Sequence, residues 1–409
     1  MKCRHCGSQN LSPVIDLGSS PPSNAYLFHK DLNKLEKWFP LKVNFCGKCY
    51  LVQTEDYSNA DELFDVDYAY FSSFSKTMID HSKNYVDDMV KRFSLNEDSM
   101  VIEIAANDGY LLQFVKEKSI SCLGVEPTKS TAEAARQKGI EIVEEFFGVA
   151  LAEKLVDKGF SADLMAANNV LAHVPNINDF VAGYSILLKP EGIATFEFPY
   201  LVNLLEKNQF DTIYHEHFSY LSLSAVNTIF SLNGLHVFDV ELIDTHGGSL
   251  RVFAERKDSL REKLQSEMVN ELLVKEKDGG YLSDRAYGGF QQVAEKAKDD
   301  MVKFLINAKE EGKSVCAFGA AAKGNTFINF AGIRPDLISA VADSNPAKQG
   351  KFMPGSRIPI VSEEILASYK PDYVVILPWN LKEEISSDLS YMRDWGCQFV
   401  VGIPKLEVL

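Results

Sequence analysis

Tyr214-His215-Glu216-His217 places two imidazoles, a carboxylate and a phenol side by side in a chain with only eight histidines. Such a density of proton-handling groups suits general acid–base chemistry. The stretch follows a strand-like run, Ile193 to Pro199, and precedes a helix-like run, Ser224 to Asn233. In extended backbone His215 and His217 share one face, and Tyr214 and Glu216 the other. A loose metal site and a hydrogen-bonded polar turn are the competing readings. The spacing is His-x-His rather than the helical His-Glu-x-x-His of zinc peptidases, which disfavours a catalytic metal.

These residues need a scaffold, and 409 residues suffice for two or three domains. Apolar residues at 46% and charged residues at 24% are ordinary for a globular protein. A formal net charge of −15 opposes nonspecific attraction to nucleic acid or anionic membrane, because the overall field repels phosphate. No apolar signal core begins the chain and no run approaches a transmembrane length, so a cytoplasmic location is expected. Cys3 and Cys6 form one Cys-x-x-Cys pair, Cys46 and Cys49 another. In a reducing compartment such pairs read as four thiolates on one structural zinc, whereas Cys122, Cys316 and Cys397 sit singly in apolar runs. Residues 1–65 are therefore expected to form a small zinc-binding domain, with Leu41 to Phe45 as a strand, whose main task is to hold a fold together.

Residues 66–250 read as an α/β unit. Thr77 to Phe93 has apolar residues at helical spacing. Met100 to Ala105 is a buried-strand pattern, and Ala106-Asn107-Asp108-Gly109 opens a helix. A second strand, Cys122 to Val125, ends at Glu126, where a carboxylate can accept ribose hydroxyls. Ala162 to Asn168 reads as a further strand, Lys189-Pro190-Glu191-Gly192 as a turn, and Ile193 to Phe198 as the next strand. The order resembles class I methyltransferases. Gly-x-Gly-x-x-Gly is absent, but a methyl donor has no pyrophosphate to cradle.

The cysteine pairs, Glu103-Ile104-Ala105-Ala106-Asn107-Asp108-Gly109, Asn168-Asn169-Val170-Leu171-Ala172-His173-Val174-Pro175, Tyr214-His215-Glu216-His217 and His246-Gly247-Gly248-Ser249-Leu250-Arg251 occur in this order. Together they resemble the nucleotide-sugar C-methyltransferases of deoxysugar biosynthesis, typified by enzymes methylating C3 of dTDP-4-keto-deoxysugars. The resemblance spans essentially the whole chain. It implies an N-terminal zinc domain, a central S-adenosylmethionine domain of the class I Rossmann-like fold, and a C-terminal Rossmann-like α/β domain that helps hold the sugar nucleotide. It also implies that His217 is the base, that Tyr214, Glu216 and His173 orient it or stabilise an enolate oxygen, and that Tyr68 closes the site. Glu103, Ala105, Asn107, Asp108, Gly109, Glu126 and Asn168 are the expected donor-binding residues. Spacing alone leaves His215 and His217 interchangeable; the family pattern favours His217.

Residues 251–409 contain a charged helical segment, Glu255 to Lys313, and then a second strand–turn–helix pattern at Ser314 to Thr326. Leu337 to Asp343 and Tyr373 to Leu377 read as further strands. Helix N-terminal amides beside Lys323 would suit a diphosphate; the resemblance implies that it belongs to the dTDP moiety, with Asn325, Arg357 and Trp379 as expected neighbours. The expected partner is a small molecule, a nucleotide-linked keto sugar, and the expected state is monomer or homodimer. Rival readings are O- or N-methylation of a small molecule, a zinc-containing interaction protein on a methyltransferase scaffold, and a dinucleotide oxidoreductase; a nonstandard glycine loop argues against the last.

Overall fold

The computed structural model describes residues 1–56, 71–74, 76–244, 247–260 and 264–409; Tyr68 and His246 lie outside them. In chain order the strands are β1 (Leu11–Ser20), β2 (Phe39–Cys46), β3 (Val52–Thr54), β4 (Met100–Ile104), β5 (Ser121–Val125) and β6 (Ile142–Val143). They continue as β7 (Ala162–Asn168), β8 (Leu188–Pro199), β9 (Ser219–Tyr220), β10 (Leu235–Ile243), β11 (Ser249–Arg256) and β12 (Val315–Phe318). The last are β13 (Val341–Ala342), β14 (Ile360–Val361), β15 (Tyr373–Ile376), β16 (Gln398–Val401) and β17 (Glu407–Val408).

The central sheet has the order β10-β11-β8-β7-β4-β5-β6. Of these strands β11 alone runs against the rest. This is the class I methyltransferase arrangement expected from the sequence. Its inner strands are nearly continuous apolar runs, as strands covered on both faces must be. The helix Lys76–Phe93 covers one face through Met78, Tyr85, Val86 and Met89, at the spacing of an amphipathic helix. On the other face Phe196 and Phe198 pack with Phe180, Tyr184, Val226 and Phe230 of two further helices. One local expectation fails. The turn read at Lys189–Gly192 lies inside β8, and a register break opposite Ala162 and Leu164 absorbs the irregularity that Pro190 and Gly192 suggested.

The C-terminal sheet, β14-β13-β12-β15-β16-β17, is parallel apart from β17. The strand read from Leu337 to Asp343 is confined to β13, although Ser339 and Ala340 still hydrogen-bond Val315 and Ala317 of β12.

The cysteine-bearing sheet is β1-β2-β3-β9. Its last strand comes from far along the chain: Val52 pairs with Tyr220 and Gln53 with Ser219. Because side chains alternate with a period of two, this pairing fixes how the chain leaves His217. The cysteine domain therefore does more than hold its own fold together; it completes the wall behind the histidine turn.

Candidate active site

Tyr214-His215-Glu216-His217 is a β-turn, closed by the His217 N–H donating to the Tyr214 carbonyl at 2.9 Å. The extended-chain expectation that His215 and His217 share a face does not hold, because a turn rotates successive side chains differently from a strand. His215 points back at the cysteine sheet, its Nε2 lying 3.2 Å from the Phe39 carbonyl and 3.3 Å from that of Pro40. His217 Nδ1 lies 2.8 Å from the Thr212 carbonyl. A carbonyl only accepts, so Nδ1 carries the proton and the basic lone pair is on Nε2. The rings of Tyr214 and His173 close round the imidazole, with centroids 3.9 and 4.6 Å from it. From behind, Thr54 of β3 donates its hydroxyl to the His217 carbonyl at 3.1 Å, and its N–H to that of Phe218. The two histidines thus have different surroundings, which spacing alone could not show.

The neighbours differ in charge state. Burial pushes the His173 imidazole down to about 4, against its bond to the Glu216 backbone, so it is neutral near pH 7. Burial pushes the Glu216 carboxyl up to about 7, and the Asn24 side-chain amide draws it back. His215 is held below the usual imidazole range by burial as well. We expect His215→Ala to lower the melting temperature, with a cost of about 1–3 kcal/mol for the carbonyls left without a donor. Turnover per folded molecule should fall less than about tenfold, well short of the loss a base would cause; thermal melts and kcat on the purified variant check both.

The carboxyl ends of β4, β5 and β7 gather a set of buried hydrogen-bond acceptors. Ala105, Asn107 and Gly109 all take left-handed backbone, with φ of 57°, 49° and 74°. At Gly109 a Cβ would come within 2.4 Å of Ile140, so the single glycine of this loop is required by packing as well as by φ. Glu126 accepts the Asn107 and Thr128 amides at 2.9 and 2.8 Å, while burial still pushes its carboxyl up. Asp108 Oδ1 and the side-chain oxygens of Asn168 and Asn169 are buried without a hydrogen-bond partner among the described residues, beside the buried carboxyl of Glu103. Burial, reinforced by Asp108 and Glu126, drives the Glu103 carboxyl far above its usual range. Orphaned acceptors are costly, and a cluster of them at strand ends fits a ligand rich in donors. S-adenosylmethionine, with its ammonium, ribose hydroxyls and adenine amine, has that chemistry. Sequence reading missed Ser72 and Ser73, which bond Asn107 and Asp108 and so lay the start of the following helix over these strand ends.

The C-terminal residues are only partly brought together. Lys323 stacks on Trp379 at 5.0 Å, and Trp379 donates its indole N–H to Asp211 at 2.7 Å. Asp211 is raised to about 6 by burial despite Lys323 and Trp379, and burial lowers Lys323. Trp379 also lies over Gly247, where a Cβ would meet its ring at 2.5 Å. Asn325, by contrast, is fully buried and donates to the Ser23 carbonyl at 3.0 Å, and Arg357 is exposed and donates to the Leu32 carbonyl. Neither joins Lys323. A buried pair, Glu197 and Arg251 at 2.9 Å with His81 on the same carboxylate, fixes β8 to β11; burial would raise Glu197, but His81 and Arg251 hold it down at about 2.

The cysteines converge. Cys3 and Cys49 Sγ are 3.5 Å apart, Cys6 and Cys46 Sγ 3.6 Å, and all four lie within 4.8 Å of one another. Four Zn–S bonds of about 2.3 Å give a tetrahedron with edges of roughly 3.8 Å, so the set fits zinc. The same loop reaches inward: Arg4 donates to the Thr54 and Pro175 carbonyls and lies 5.1 Å over the Phe218 ring.

Three family models match the chain: a zinc binding domain over residues 3–64, a methyltransferase domain over 78–240 and a C-methyltransferase C-terminal domain over 244–404. The chain is 35% identical over 408 residues to the C-methyltransferase NovU of Streptomyces niveus, covering 100% of this chain and 96% of that protein. Among solved structures, the PH0226 protein from Pyrococcus horikoshii OT3 overlaps 49% of this chain and 100% of its own at 14% identity and a TM-score of 0.39. The magnesium protoporphyrin IX methyltransferase ChlM of Synechocystis PCC 6803, with bound SAH, overlaps 44% of this chain and 83% of its own at 14% identity and a TM-score of 0.35.

Proposed function

The chain belongs to the C-methyltransferase family, as an S-adenosylmethionine-dependent methyltransferase with a zinc-binding N-terminal domain, and from that premise we propose that it methylates carbon C3 of a dTDP-linked 4-keto-deoxysugar. The observation that carries the reading is the His217 imidazole, its Nδ1 fixed by the Thr212 carbonyl and its ring enclosed by those of Tyr214 and His173. Methylation of oxygen or nitrogen starts from an atom that already bears a lone pair. Methylation of carbon needs a carbanion equivalent, and a ketone at C4 acidifies the C3 proton enough for a histidine to remove it.

In this mechanism His217 Nε2 takes the C3 proton, and the electron pair of that C–H bond becomes the enolate, with its charge on the C4 oxygen. The Thr212 carbonyl stabilises the imidazolium that forms, through Nδ1–H. Neutral His173, Tyr214 and Glu216 are the polar groups near the developing oxyanion, and in a water-poor site such groups count for more than in solvent. The donor-binding residues Glu103, Ala105, Asn107, Asp108, Gly109, Glu126 and Asn168 hold S-adenosylmethionine, which supplies an electrophilic methyl group. Lys323 and Trp379 are the residues we assign to the nucleotide end of the substrate. Asn325 and Arg357, engaged elsewhere, drop out of that assignment. Tyr68, outside the described residues, keeps its proposed role as the closing side chain on the strength of the motif alone.

The test is a panel incubation with 13C-methyl S-adenosylmethionine, comparing dTDP-4-keto-6-deoxyglucose and its 3-deoxy and 3-amino relatives with small hydroxyl and amine acceptors. A 13C methyl correlated by NMR to C3 of a keto sugar is the expected result. Label appearing only on oxygen or nitrogen would reverse the assignment.

A further inference from the structure

We propose that Asn24, delivered by the N-terminal domain, is a positioning residue that holds the Glu216 carboxylate in the working geometry and protonation state of the site. Both Glu216 oxygens lie 2.8 Å from the Asn24 side-chain nitrogen, and no other hydrogen bond to that carboxylate is present among the described residues. Glu216 is only 2% exposed, so its carboxyl is screened from bulk solvent. One side chain therefore orients the carboxyl and opposes the effect of burial on its ionisation.

Asn24 is not placed there by its own domain alone. The segment Ser23 to Tyr26 crosses to the C-terminal domain and is pinned at two points. Asn325 donates to the Ser23 carbonyl at 3.0 Å, and Tyr26 donates its hydroxyl to the Ala320 carbonyl at 2.6 Å. Thr326, on the same helix as Asn325, donates to the Ile213 carbonyl at 3.0 Å, immediately before the histidine turn. The start of the helix Ala322–Phe330 thus fixes both partners of the Asn24–Glu216 pair relative to each other. In this reading Asn325 acts by holding Ser23, rather than as the substrate neighbour expected from the sequence.

The groups around the carboxyl are few. Burial is the main influence raising it to about 7, and the Asn24 amide is the one that lowers it. Tyr26 faces it from the N-terminal segment, His173 bonds its backbone from the loop after β7, and the Asp343–Lys348 pair stands behind Tyr26. Without the Asn24 amide nothing named here favours the ionised form, so the carboxyl should stay protonated to higher pH.

The inference rests on the reading of Glu216 as part of the reacting constellation, and the test keeps the two separable. Infrared pH-difference spectra of the full-length protein would follow the carboxyl, with Glu216→Gln identifying its band, alongside kcat and KM against pH. In wild type the band should titrate near pH 7. In Asn24→Ala, and in Asn24→Ser should the first not fold, it should move up by roughly one pH unit or more. The kcat profile should move with it while KM for the donor stays put. A band that does not move in either folded variant overturns the inference. A band that moves while kcat keeps its wild-type profile supports the hold of Asn24 on Glu216 and removes Glu216 from the proposed mechanism.

Discussion

His217→Ala should bind S-adenosylmethionine and the keto sugar nearly as well as wild type, yet lose turnover by about 10²–10⁴-fold, the usual contribution of a positioned general base. The reason lies in the division of labour in the structure. The residues proposed to bind the donor lie at the ends of β4, β5 and β7, where Glu126 accepts from the Asn107 and Thr128 amides, and neither bond passes through His217. His217 is held by the Thr212 carbonyl and by ring contacts, so truncation empties one side-chain position without dismantling those strand ends. His217→Gln gives a finer control, since it offers polar atoms but no comparable basicity. Donor affinity by calorimetry and single-turnover rates check the split. A His217→Ala enzyme with near-normal turnover would transfer the base role to another group.

The second large effect should come from the cysteines. Cys46→Ser, or removal of the metal by a strong chelator, is expected to unfold the N-terminal sheet, because small structural zinc sites supply much of their domain's folding free energy. The consequence should be catalytic as well as structural. β3 pairs with β9 directly after His217, Thr54 holds the His217 and Phe218 carbonyls, and Arg4 in the first knuckle bonds the Thr54 carbonyl. Loss of the metal therefore releases the backbone that aims His217. A misplacement of about 1 Å can cost on the order of 10²-fold in rate, so activity should fall at least that far while donor binding in the central domain persists. Zinc content, circular dichroism and donor affinity, measured on the same samples, test this together. Full activity in a metal-free, four-cysteine protein would show that the sheet is held without zinc.

The central sheet was legible because its inner strands are apolar on both faces and end on polar residues, a pattern with few alternatives. The long helix Lys76–Phe93 was legible from its spacing for the same reason. β9 was not. Two residues joining a sheet whose other strands lie far away in sequence leave no local periodicity, and only tertiary pairing defines them. The short β13 shows the opposite failure: Leu337 to Asp343 is a nearly continuous apolar run that suggests a longer strand than the sheet contains. At the site, the four cysteines and the histidine turn announced themselves by residue type. The different surroundings of His215 and His217 did not, because the direction of each ring depends on a turn that spacing cannot reveal. Asn24 carried no signal either; an asparagine in a Pro- and Ser-rich loop is ordinary until the fold sets it against a buried carboxylate. Asn325 and Arg357 were expected beside Lys323 from the family resemblance, and in the fold they bond the Ser23 and Leu32 carbonyls.

The most direct test of the account is proton NMR of dTDP-4-keto-6-deoxyglucose in D2O with wild-type enzyme and with His217→Ala, in the absence of S-adenosylmethionine. Wild type should exchange the C3 proton for deuterium, and the variant should exchange it at least about 10²-fold more slowly. Undiminished exchange in His217→Ala, or methyl transfer to C3 by a wild-type enzyme that never exchanges that proton even with a non-reactive donor analogue bound, would contradict the assignment of His217 as the base.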